Sequence, residues 1–303
     1  MKEAKAFAPC HITGFFQILD QPTNSLYAGS RGAGVSLSRG VETIVKVRNA
    51  VKGSLQVRIN GSASTSEVSK HVVDAFLSRF KEMENFEIIV EHYIEVPVGA
   101  GFGTSGAGAL SLVLALNDVF GLGMSRIEAA QMAHVAEVEC KTGLGTVIAE
   151  AFGGVEVRVK PGAPGIGEIK HVPVPKDYVM ACLTFGPLPT KKFLTDEEIR
   201  KRVNEFGGKL VDKLIEEPDI TNFMNFSRQF AEHVGLLTEK LARILNATDD
   251  ANLICSMPMF GESVFTLIKQ ESLKELVKIF REHGADGKII ISEIDFEGAR
   301  LLK

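Results

Sequence analysis

The feature that most constrains this 303-residue chain is a run of 22 residues, 96–117, that carries no charged side chain and holds five glycines between positions 99 and 108. Length alone would let such a run span a bilayer. However, Pro97, the glycines, Thr104, Ser105 and Ser111 interrupt it, and only its second half is strongly apolar. It therefore reads as a loop, 97–103, that feeds a buried helix, 105–120. A helix opening directly out of glycine-rich backbone presents unpaired amides and a positive dipole end, which suits an anion. The plainer alternative is a glycine turn that lets a helix pack closely on a sheet.

Composition narrows the classes around that loop. Hydrophobic residues make up 45% and charged residues 24%, enough for a buried core and too apolar for disorder. The formal net charge is −4 and no basic run stands out, which argues against nucleic acid as a partner. Cys10, Cys140, Cys182 and Cys255 form no CxxC pair, so reduced cytoplasmic thiols are expected instead of zinc or disulfides. The first ten residues, MKEAKAFAPC, contain no apolar core of the secretory type, and no membrane anchor is expected. The oligomeric state is open, with a homodimer among the possibilities. The other histidines (His71, His92, His134, His171, His233 and His283) have no metal-like spacing, and no Ser-His-Asp arrangement suggests a hydrolase.

The pattern along the chain is strands, then helices. Residues 5–8 and 34–37 are short apolar runs, and 42–47 and 54–59 look like strands. Residues 66–80 have helical spacing, 86–96 return to β-type sequence, and a helix over 125–141 opens with the capping box Ser125-x-x-Glu128. A second small loop, 142–145, precedes 147–152 and the turn Gly153-Gly154. The proline- and glycine-rich segment 160–175 is the expected seam, giving one domain over 1–165 and another over 166–303. Beyond it come a strand at 178–184 and charged amphipathic helices at 196–216 and 219–245. A β segment at 264–268, a helix at 272–283 and a strand at 288–294 complete an α+β layer with a small antiparallel sheet.

The glycine loop can be compared with known phosphate cradles. Gly101-x-Gly103-x-x-Gly106 matches the dinucleotide fingerprint, but the following region is helical where a second parallel strand is required. A Walker A loop needs a terminal Gly-Lys-Ser/Thr, and no lysine lies between Lys81 and Lys141. What remains, Pro97-x-Gly99-x-Gly101-x-Gly103-Thr104-Ser105, resembles the ATP-binding motif of the GHMP small-molecule kinases. The Ala8-Pro9 segment and Thr142-Gly-Leu-Gly145, followed by Gly153-Gly154, agree with that family in order. More narrowly, the segments 11–16, 29–34, 141–145 and 153–158 resemble the archaeal pantoate kinases. The resemblance implies an α+β fold of two domains, the first like domain 2 of ribosomal protein S5 and the second ferredoxin-like. It implies an enzyme that phosphorylates pantoate with ATP and Mg²⁺ on the archaeal route to coenzyme A. Alternatives are another alcohol (homoserine, a mevalonate derivative or a sugar) or a nucleotide-binding regulatory module without a base.

Residue roles follow from the same resemblance. Pro97, Val98, Gly99, Ala100, Gly101, Phe102, Gly103, Thr104, Ser105 and Gly106 would surround the ATP phosphates. Ser105 would bind metal or phosphate through its hydroxyl, with helix N-capping as its plainer role. Glu137, or second to it Glu139, would supply the carboxylate that Mg²⁺ favours, against a solvated helix face. For the substrate carboxylate, Arg31 and Arg158 offer the guanidinium fork, and His11 offers a hydrogen bond; surface ion pairs and a structural histidine are the ordinary alternatives. Three positions depart from the family pattern. Cys10 stands where glycine follows Ala-Pro, and the third glycine motif is reduced to 257–263. Thr146 stands where the family has the aspartate regarded as the base, and Glu150 is the nearby carboxylate that could take its place.

Overall fold

The computed structural model describes residues 1–188 and 196–303. Its first sheet is built on two long antiparallel strands, β1 (Lys2–Leu19) and β2 (Gly29–Asn49), which pair along almost their whole length. The short apolar runs expected at 5–8 and 34–37 are parts of these strands. Register shifts at Pro9/Cys10 and Thr13/Phe15 let the pair bend without ending. The glycine-rich stretch around Arg31 is strand as well. Glycine is needed there for close approach: a Cβ on Gly34 would lie 2.3 Å from the His11 ring.

After β3 (Ser54–Ile59) and the two-residue β4 (Ser62–Ala63), helix α1 (Glu67–Arg79) crosses over to β5 (Phe86–Ile94). This crossover makes β3 and β5 parallel, while every other pairing between named strands among the described residues is antiparallel. Helix α2 (Thr104–Phe120) lies on β1 and β2, buried on nearly all sides, which accounts for its uncharged sequence. It is flanked by α3 (Arg126–Glu139), whose capping box at Ser125 and Glu128 is formed. The short α4 (Thr146–Phe152) then leads into β6 (Val155–Lys160), which pairs with the first part of β2. Strand β7 (Glu168–His171) pairs with β6, so part of the expected seam belongs to the first sheet.

The second sheet consists of β8 (Tyr178–Pro187), β9 (Gly261–Lys269) and β10 (Lys288–Ser292) among the described residues, in the order β10-β8-β9. The helices of this half are α5 (Glu197–Glu216), α6 (Ile220–Val234), α7 (Glu239–Asp250) and α8 (Leu273–His283). The single helix expected over 219–245 is two helices. Gly235 caps α6 in the left-handed conformation, and the Thr238 side chain caps the start of α7. The last strand, β11 (Arg300–Leu302), returns to the first sheet beside β1. One hydrophobic core joins the halves: Phe15 and Phe16 of β1 meet Phe223, Phe226 and Phe230 of α6. A smaller core lies between the second sheet and helices α7 and α8.

Candidate active site

Where β1, the 97–103 loop, α3 and the start of α4 converge, they enclose a cleft of about 600 Å³. The loop forms one wall through Gly99, Gly101, Phe102, Gly103, Thr104 and Ser105. Of the other loop residues, Val98 faces solvent, while Ala100 and Gly106 are buried behind that wall. Gly103 takes a positive φ of 63° and is itself the N-cap of α2, with no side chain capping the helix. Ser105 is therefore the second residue of the helix, within its first turn, and not its cap. The amides of this first turn lack intrahelical partners, and the dipole adds to their attraction for an anion. Met259 and Phe260, from the reduced third motif, line the cleft beside the loop. A Cβ on Gly261 would strike the Ala100 carbonyl at 2.0 Å, so this segment supports the loop through direct backbone contact.

The Ser105 hydroxyl donates to Glu137 Oε2 at 3.0 Å, and the Thr142 hydroxyl donates to Glu137 Oε1 at 2.7 Å. Glu137 is buried, and burial raises its pKa to about 7 against the lowering effect of those two hydrogen bonds. Glu139 points elsewhere, toward His71 and Ser25 on the exposed face of α3. The spacing of two residues explains the separation, since at about 3.6 residues per turn they fall on roughly opposite sides of the helix, 137 inward and 139 outward.

A second polar cluster lies deeper. The Arg158 guanidinium donates from Nη1 to Glu156 Oε1 at 2.5 Å, and both side chains are fully buried. His11 Nε2 also meets Glu156, at 3.0 Å from Oε1, and its Nδ1 is 3.3 Å from the Thr13 hydroxyl. Both ring nitrogens of His11 are thus engaged within the protein, so His11 holds Glu156 and has no free donor for a substrate. Arg158 Nε is different: it is buried without a hydrogen-bond partner, in the wall of the cleft. Burial lowers the Arg158 pKa, and Glu156 opposes that shift. Ser30 Oγ and Arg158 Nε both crowd the space over Gly145, where a Cβ would lie 2.1 Å and 3.2 Å from them.

Arg31 does not reach this cleft. Neighbouring residues of a strand face opposite sides, so Ser30 faces the cleft and Arg31 faces α5. There Arg31 Nη2 donates to Asp212 at 2.5 Å, and its Nε donates to the Val159 carbonyl at 3.0 Å. Thr146 begins α4 at the cleft wall, with its hydroxyl directed toward Gly106. Among the described residues, no group of three or more His, Cys, Asp or Glu side chains is placed to hold a metal by itself.

Comparison with known proteins agrees with this geometry. The profile described as GHMP kinases N terminal domain matches residues 67–154, which include the loop, α2, α3 and α4. The pantoate kinase of Methanocaldococcus jannaschii is 35% identical over 277 residues, covering 91% of this chain and 96% of that one. This chain belongs to the pantoate kinase family. The pantoate kinase of Thermococcus kodakarensis is also 35% identical, over 92% of each chain. A solved structure titled as a phosphotransferase related to the CoA biosynthesis pathway superposes with a TM-score of 0.90 at 32% identity, covering 99% of this chain and 98% of that one. Homoserine kinase from Cytophaga hutchinsonii shares the fold, with a TM-score of 0.73 at 16% identity over 100% of this chain and 98% of that one. The chain is accordingly an ATP-dependent small-molecule kinase of α+β architecture.

For this pantoate kinase relative, sequence reasoning missed Ser30, Thr142 and Glu156. Glu156 had a readable signal: in Val155-Glu-Val-Arg-Val159, two opposite charges share one face of an apolar strand, the pattern of a buried pair. The Asp20–Arg200 ion pair at 2.8 Å on the cleft rim had none, because only tertiary folding brings those positions together.

Proposed function

We propose that this chain transfers the γ-phosphoryl group of ATP to the primary hydroxyl of pantoate, giving 4-phosphopantoate on the route to coenzyme A in the cytoplasm. The observation that carries the proposal is the pairing of two unlike walls in one cleft. The amide-rich loop with Ser105 and Glu137 suits phosphates, and the buried, partly unpaired Arg158 suits a small carboxylate. The sequence relatives named as pantoate kinases support the choice of acid. No described helix is long and apolar enough to cross a membrane, in keeping with two water-soluble substrates.

Phosphoryl transfer asks mainly for positioning and charge neutralisation. The loop amides and the α2 dipole would hold the ATP phosphates, while Arg158 Nε and Ser30 would orient the pantoate carboxylate away from them. Residues 97–106 act here as a backbone cradle, with Ser105 and Thr104 adding hydroxyls. Mg²⁺ fits the donor set at Ser105 and Glu137: one carboxylate and one hydroxyl are hard oxygen ligands, with water and phosphate left to complete the shell. When bound, that ion supplies neutralisation of the charge on the β- and γ-phosphates. Glu137, near neutral pH at about 7, would ionise readily beside a cation. Thr146 would hydrogen-bond the substrate hydroxyl at the cleft wall. The direct test is phosphorus NMR of the product from ATP and pantoate. A phosphate monoester coupled to the two protons of a CH₂ group is expected; a phosphate coupled to a single CH proton would place the transfer on the other hydroxyl and contradict the orientation.

A further inference from the structure

Glu150 is the least explained side chain near the cleft. It is fully buried on α4, and neither carboxyl oxygen has a hydrogen-bond partner. Such a group is expensive to bury, and a persistent one calls for a reason beyond packing. It stands four residues after Thr146, so both lie on one face of the helix. A Cβ on Gly106 would lie 2.6 Å from Glu150 Oε2 and 2.8 Å from Thr146 Oγ1. Carboxyl and hydroxyl therefore bracket one small space above Gly106, with Thr146 on the cleft side and Glu150 behind it. Gly103 faces the same carboxyl, with a Cβ there 2.7 Å from Oε1. Any side chain at 103 or 106 would displace the carboxyl, so the glycine spacing keeps this space open.

Thr146 alone poses a chemical difficulty. A threonine hydroxyl titrates far above neutrality and cannot keep a proton taken from an alcohol. It can pass one on. We propose that Glu150 is a positioning residue for phosphoryl transfer: the Thr146 hydroxyl, which makes no hydrogen bond to Glu150 in this structure, turns to it when substrate binds, and Glu150 then orients that hydroxyl toward the substrate and takes its proton as the substrate's proton moves onto Thr146. This rests on the pantoate-phosphorylating reading above. The bookkeeping of atoms is closed. The substrate O–H bond breaks as its oxygen bonds to the γ-phosphorus, and the bond between that phosphorus and the bridging oxygen breaks, leaving its electron pair on ADP. The substrate proton joins Thr146 Oγ1 and the original Thr146 proton joins Glu150, which is fully buried and hands it back through Thr146 to the open cleft once the products leave.

The surroundings of Glu150 set the pH at which it can accept a proton. Burial raises its pKa well above the usual carboxylate range, Glu137 on α3 and Glu156 on β6 raise it further, and Arg158 on β6 lowers it. Cys10 on β1 also faces it and is kept as a neutral thiol by burial, with Glu150 adding to that shift. A raised carboxyl holds a transferred proton more firmly than an exposed one. It is also less ionised at low pH, so turnover should rise with pH as Glu150 loses its proton.

The test uses the full chain with ATP, Mg²⁺ and pantoate, measuring ADP release and the KM of each substrate. Glu150→Gln and Thr146→Val should each lower kcat by about 10²–10⁴-fold, the usual range for losing help with a proton. KM for ATP and for pantoate should move much less. The double variant Thr146→Val/Glu150→Gln should be no slower than the worse single variant, because both changes cut one path. The pH dependence of kcat should change in Glu150→Gln, leaving only the part that belongs to Glu137. Thr146→Asp/Glu150→Gln should restore turnover, since a carboxylate in the cleft no longer needs Glu150; this arm also shows that the fold tolerates glutamine at 150. Full kcat in Glu150→Gln or in Thr146→Val overturns the proposal. So does a loss in Glu150→Gln that falls on the KM for ATP with an unchanged pH profile, or one that Thr146→Asp fails to rescue. Absence of pantoate-dependent ADP release from the parent chain overturns the functional reading and this proposal with it, whereas a fast parent with an unimpaired Glu150→Gln overturns this proposal alone.

Discussion

Ser105 and Arg158 divide the chemistry of the cleft between them, and each can be isolated by one substitution. Because Gly103, not Ser105, caps α2, Ser105→Ala removes a hydroxyl from Glu137 without removing a helix cap. ATP turnover is expected to fall about 10–10³-fold, the scale of losing one anchored contact to developing charge, with little change in melting temperature. Steady-state kinetics beside a thermal melt checks this, and unchanged kinetics would make the loop merely structural. Arg158→Lys keeps the charge that Glu156 needs but loses the planar fork. It should raise the KM for pantoate about tenfold or more and leave the KM for ATP nearly unmoved; the reverse split would put Arg158 on the nucleotide side. At this scale the sequence was legible where position follows the chain: local pattern and family resemblance singled out the glycine loop, Glu137 and Arg158, and the fold brings them to one cleft. Arg31 and His11 were harder, because strand alternation and a buried carboxylate redirect them, and neither is visible in the residues that flank them.

Among the elements, α2 is held to its sheet by more than apolar contact. His92 on β5 receives or donates hydrogen bonds with Thr43 on β2 at 2.8 Å and with Ser69 on α1 at 3.0 Å, and Thr43 reaches Ser111 on α2 at 2.6 Å. The ring is buried, and burial lowers its pKa to about 4. The unfolded chain therefore binds a proton at this site between roughly pH 6.5 and 4 while the folded chain does not, so stability falls as pH drops through that window. The full shift corresponds to about 3 kcal/mol. His92→Gln should flatten that part of the profile; urea midpoints at pH 7 and pH 4.5 for parent and variant measure it, and equal pH dependence in both would contradict it. Helices with strong caps or spacing, such as α1 and α3, were readable in the sequence. The break between α6 and α7 was missed although Gly235 and Thr238 mark it, because the amphipathic pattern continues across the two helices and outweighs one glycine.

For the molecule as a whole, the two halves are not separable units of packing. Strands β7 and β11 come from beyond residue 165 yet complete the first sheet, and α5 and α6 cover β1. Residues 1–165 alone would expose Phe15 and Phe16 and an unpaired edge along β1. That fragment should fail to melt cooperatively, as differential scanning calorimetry would reveal; a sharp native-like transition would mean that it folds independently. The two-layer class was legible from the order of elements, while the return of the C-terminus to β1 was not, since three residues carry no sheet address in their sequence. The central claim, that one cleft brings ATP phosphates to a small hydroxy acid, is tested most directly by ADP release with pantoate, homoserine, mevalonate and galactose offered separately at equal concentration. The account predicts a kcat/KM for pantoate at least a hundredfold above each of the others; equal or greater turnover of any of the other three, or ATP binding with no turnover of any of the four, would contradict it.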